Sequence, residues 1–70
     1  MRIRISDASL ARDLLDHLRE TGCVAMQLGS DMVAVSLAHS MPYDVARLEL
    51  DFHLADWLAR HRGASATVID

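Results

Sequence analysis

The stretch Cys23-Val24-Ala25-Met26-Gln27-Leu28-Gly29-Ser30-Asp31-Met32-Val33-Ala34-Val35-Ser36-Leu37 decides how this chain is read. Two apolar runs, Cys23 to Leu28 and Met32 to Leu37, flank the dipeptide Gly29-Ser30. Gly followed by Ser signals a two-residue hairpin, because a type II′ turn needs a positive φ at its first central position. With that loop Val24 faces Val35 and Met26 faces Val33, while Cys23, Ala25 and Gln27 face Ser36, Ala34 and Met32. Branched and large residues then share the core face, and small or polar ones share the other. A loop one residue longer would pair Val24 with Ser36 and Met26 with Ala34, which mixes the faces, so the two-residue turn is the expected one.

Outward from the hairpin, each side carries one helix-like and one strand-like segment. Met1 to Ile5 alternates apolar residues with Arg2 and Arg4, the period of a half-buried strand. Ser6-Asp7-Ala8-Ser9 supplies N-cap side chains. Leu10, Ala11, Leu14, Leu15 and Leu18 follow at helical spacing, and Gly22 is a C-cap residue. Past the hairpin, Ser40-Met41-Pro42 opens a second helix, with Ser40 as cap and Pro42 in the first turn. It is expected to run to about Arg62 and stop at Gly63. Ala64 to Asp70 reads as a last strand, favoured by Thr67, Val68 and Ile69.

The order β-α-β-β-α-β implies an α+β domain, residues 1–70: a four-stranded antiparallel sheet with two helices on one face. Across the whole chain this layout resembles ferredoxin-like α/β plait domains, including the ACT-like regulatory ones. The first and third strands are expected side by side in the centre, running parallel. Arg2, Arg4, Cys23, Ala25, Gln27, Met32, Ala34 and Ser36 are then expected on the helix-free face. In RNA-binding domains of this layout that face carries stacking aromatics. Here Tyr43, Phe52 and Trp57, the only aromatics, all lie in the second helix, so no nucleic acid partner is expected.

Composition narrows the classes. A 70-residue chain buries only roughly 60% of its unfolded surface, so oligomerisation is a common remedy. Hydrophobic residues at 51% against 24% charged argue for a folded chain over a disordered one. A net charge of −3 disfavours nucleic acid and acidic membranes. All seven basic residues are Arg, which reads as the codon bias of a GC-rich bacterial genome. The single cysteine, Cys23, permits no internal disulfide and reads as an inert small residue. No signal peptide or membrane span is evident, and a reducing cytoplasm is the expected location.

The second helix is unusual. Val45, Leu48, Phe52, Ala55 and Ala59 form one apolar stripe, expected to pack on the sheet. Leu50, Leu54, Trp57 and Leu58 form another, with Glu49, His53, Asp56 and Arg60 between them. A helix covering a sheet normally needs one stripe. Leu50, Leu54, Trp57 and Leu58 are therefore expected to meet a partner, most simply a second copy in a two-fold homodimer, unless the first helix covers them. Chemistry is less evident. With parallel first and third strands, the two strand-to-helix turns would meet at one end. Ser6, Ser9, His39 and Ser40 could then receive an anion or amino acid at two helix N-termini, as in a sensing module. Glu49, His53 and Asp56 share a helical face and are the weak metal candidates. No catalytic residues are assigned and no cofactor is implied: the sequence has no nucleophile–base pair close in sequence and no Gly-rich phosphate loop.

Overall fold

The computed structural model describes residues 1–37 and 41–69. Strand β1 is Arg2–Ile5, helix α1 is Ala11–Glu20, and strands β2 and β3 are Cys23–Gln27 and Met32–Leu37. Helix α2 is Tyr43–Ala59 and strand β4 is Ala66–Ile69. The four strands form one antiparallel sheet in the order β2-β3-β1-β4, giving an α+β architecture.

Local chemistry accounts for most of the boundaries. A 3₁₀ turn at Ala8–Leu10 leads into α1, and Asp7 caps it by accepting from the Ser9 amide at 3.0 Å and the Ser9 hydroxyl at 2.6 Å. Gly22 closes α1 with φ +94°, a conformation that other residues rarely adopt. At α2 the cap position is held by Pro42, whose carbonyl accepts from the Ala46 amide; Ser40 lies outside the described residues. The helix ends at Ala59, short of Arg62. The Trp57 carbonyl, which an α-helix would pair with the amide of His61, takes the Arg60 amide and the His61 ring Nδ1 instead. That side-chain competition stops the helix, and the chain turns at Gly63 with φ +90°. Seventeen residues span about 25 Å.

Strands β1 and β3 lie side by side in the sheet centre, but they run antiparallel, which corrects the parallel expectation. The reason is connectivity. The crossover through α1 returns the chain parallel to β1, and the hairpin then reverses it into β3. The C-terminal ends of β1 and β3 therefore lie at opposite ends of the sheet.

The hairpin register is also corrected. Val24 pairs with Ser36, Ala25 with Val35, and Met26 with Ala34, and the Leu28 amide donates to the Met32 carbonyl at 2.8 Å. The loop is thus three residues, Gly29-Ser30-Asp31. Gly29 does not take the positive φ of a type II′ turn; the positive-φ residues described are Gly22 and Gly63. Asp31 is held elsewhere, because its carbonyl accepts from the Ile5 amide at 2.8 Å and begins the β3–β1 ladder. One added loop residue moves every β2 side chain to the other face. Cys23 and Ala25 become 8% and 7% exposed, while Val24 and Met26 stand at 63% and 59%. The volume under α1 explains this choice. Leu14, Leu15 and Leu18 are buried where α1 crosses β2, and small residues beneath them let the helix approach.

Ile3, Ile5, Val33 and Val35 from the sheet, the α1 leucines, and Leu50, Leu54 and Trp57 from α2 form one core cluster. Both helices therefore pack on the same face.

Candidate functional site

On α2 the assignment of the two stripes is the reverse of the sequence expectation. Leu50, Leu54 and Trp57 are buried, at 0%, 5% and 1%, and half-buried Leu58 packs against the same core. None of these four offers an open interface, because the sheet and α1 together cover the stripe. Trp57 drives this arrangement. It is the largest fully buried side chain, and its indole N–H donates to Asp13 Oδ2 of α1 at 2.8 Å. A buried Trp needs such a partner, and α1 supplies it. The stripe expected on the sheet is bare instead: Val45, Leu48 and Phe52 stand 49%, 72% and 76% exposed, with Ala55 and Ala59 exposed beyond them.

These five residues recur at alternating intervals of three and four, the spacing of a seam that packs against another surface. Asp44, Glu49, Asp51 and Asp56 flank the seam, all exposed. Arg47 pairs with Asp51 at 3.3 Å and Arg60 with Asp56 at 3.0 Å, leaving the flanks net acidic. The Arg47 guanidinium is held above its ordinary range, first by a hydrogen bond with the Tyr43 side chain and then by Asp51.

The bare side of the sheet is a second apolar surface. Its residues are Val24, Met26, Met32 and Ala34, with Arg2 beside Ala34 and Arg4 beside Met32 on β1. Cys23, Ala25 and Gln27, expected here, belong to the opposite face through the register shift. Cys23 is buried, with its Sγ 3.6 Å from the Thr21 hydroxyl.

A polar seam joins the helices, and the periodicity gave no hint of it. His61 stacks on Trp57 with ring centroids 4.2 Å apart, and its Nε2 lies 2.9 Å from Asp13 Oδ2. Its Nδ1 lies 2.9 Å from the Trp57 carbonyl. Arg60 reaches His17 Nδ1 at 3.2 Å, and His17 Nε2 lies 3.3 Å from the His53 carbonyl. His17 and His61 are half-buried.

Ser6 and Ser9, the anion candidates among the described residues, each already have a hydrogen-bond partner. Ser9 is bonded to Asp7, whose carboxyl is held below its usual range by the Ser9 hydroxyl first and the Ser9 amide second. The Ser6 hydroxyl accepts from the Ser65 amide at 2.8 Å, tying β1 to β4. His39 and Ser40 lie outside the described residues; the C-terminal ends of β1 and β3 are at opposite ends of the sheet. The metal candidates separate. Glu49 lies 3.8 Å from His53 Nε2, while Asp56 turns to Arg60. Among the described residues no three His, Cys, Asp or Glu side chains cluster to hold a metal, and no helix is long and apolar enough to cross a membrane. No protein-family model matches the chain, and no curated protein or solved structure is similar enough to it to show kinship.

Proposed function

We propose that this chain is a ferredoxin-like α/β plait that acts by association, self-assembling through the outer face of α2. The strand order β2-β3-β1-β4, with both helices on one side, supports the plait. One observation carries the association: Leu48 and Phe52, two of the largest apolar side chains in the chain, are about three-quarters exposed in one stripe with Val45. Scattered exposed apolar residues are ordinary, but a contiguous stripe at seam spacing is the mark of a contact surface. A small domain also gains stability by covering such a surface with a second copy. The helix is the one singled out by its surplus stripe; the contact residues are Val45, Leu48 and Phe52 in place of Leu50, Leu54, Trp57 and Leu58.

Sedimentation equilibrium across the micromolar range tests this reading. The wild-type protein is expected to exceed the mass of one chain, and Leu48→Asp with Phe52→Asp to return it to that mass while keeping a cooperative thermal transition. A wild-type protein that stays at the mass of one chain throughout would overturn self-association.

A further inference from the structure

Two apolar surfaces of this domain are uncovered, and they lie on opposite sides. The outer face of α2 points away from the sheet, and the helix-free sheet face points the other way. Their rims carry opposite charge. Asp44, Glu49, Asp51 and Asp56 flank the helix stripe against two paired arginines, Arg47 and Arg60. Arg2 and Arg4 stand exposed on the open sheet face, beside Ala34 and Met32.

Resting on the association reading above, we propose that copies assemble head to tail, the outer face of α2 in one copy seated on the open sheet face of the next. Charge selects this mode. Two α2 helices placed face to face would bring acidic flanks against acidic flanks, whereas α2 on the sheet sets acids near Arg2 and Arg4. Geometry fits as well. A helix stripe on a sheet face is the contact each domain already makes internally, so the assembly repeats a helix-on-sheet layer. From Val45 to Ala55 the stripe rises about 15 Å, comparable to the length of the strands it would cover. Opposite faces cannot close a two-fold pair, so the contact is heterologous and gives a ring or an open chain.

Complementation between two surface variants tests this mode. Phe52→Asp breaks the helix face and Met26→Asp the sheet face; both positions are exposed, and cooperative thermal unfolding verifies that each variant folds. Each alone is expected at the mass of one chain. Mixed in equal amounts they form a one-to-one heterodimer, because each retains the face the other lacks. Added sodium chloride is expected to weaken the wild-type assembly; an α2-to-α2 contact, with like charges opposed, would strengthen. If the wild-type protein assembles but Met26→Asp assembles equally well, the head-to-tail mode is overturned and self-association stands. If the two variants are each monomeric yet fail to pair on mixing, the mode is overturned as well. A wild-type protein that never exceeds one chain overturns both readings.

Discussion

The two faces of α2 carry similar apolar content and have opposite fates. The inner face, Ala46, Leu50, Leu54 and Trp57, is sealed in the core; the outer face, Val45, Leu48, Phe52, Ala55 and Ala59, is open. Hydrophobicity does not separate them, since each has large apolar groups at helical spacing. The separation comes from polar partners. Trp57 brings the largest apolar surface together with an N–H that Asp13 satisfies, and His61 stacks beside it. Phe52 and Leu48 have no such tie to α1. The teaching is that among equivalent stripes, the one whose polar atoms find partners in a neighbouring element is the one buried.

The contrast breaks most sharply by truncation on each face. Leu50→Ala is expected to cost about 2–5 kcal/mol in urea unfolding and Trp57→Ala about 3–5 kcal/mol, because each leaves a core cavity. Leu48→Ala and Phe52→Ala are expected to change the stability of the single chain by no more than about 0.5 kcal/mol. Equal losses on both faces would remove the distinction.

The same contrast recurs between the faces of β2. Ala25→Leu should cost about 1–3 kcal/mol by overpacking beneath α1. Met26→Thr, on the open face, is expected within about 0.5 kcal/mol of the wild type. A two-residue Gly29-Ser30 turn would produce the reverse order, so the pair measures the register directly.

Asp13→Ala tests the polar tie. Losing the acceptor for the Trp57 N–H is expected to cost about 1 kcal/mol, with a shift in Trp57 fluorescence that Asp16→Ala does not reproduce. The smallest effect concerns Asp7. Its carboxyl is held below the ordinary value of 3.8, so the folded state favours the charged form. Its contribution is present above about pH 4 and is lost as pH falls through the lowered folded value. Asp7→Asn should lower stability slightly at neutral pH and leave the acid end nearly unchanged, which flattens the acid limb of the pH–stability curve.

Much of the fold was legible. The Arg2/Arg4 alternation marked β1, and Leu14, Leu15 and Leu18 marked the buried face of α1. Gly22 and Gly63 marked chain reversals through the positive φ they supply. The hairpin was legible as a hairpin but not in its register. That depended on the Ile5–Asp31 bond, between residues 26 positions apart. The exposed stripe was half legible: two stripes on α2 pointed to a surplus, yet which one remained outside rested on Asp13, 44 residues from Trp57. The anion reading rested on parallel β1 and β3, and a crossover followed by a hairpin leaves them antiparallel.

By itself, the sequence determined the element order, the amphipathic character of α1, the reversals at glycine and the excess of apolar surface on α2. Those properties arise within a few residues, from side-chain periodicity and backbone conformational preference. Only the tertiary structure decided the hairpin register, the faces of β2 and the stripe left exposed. Each depends on hydrogen-bond partners or on the volume beneath a helix, supplied by another element, and local periodicity carries no record of them.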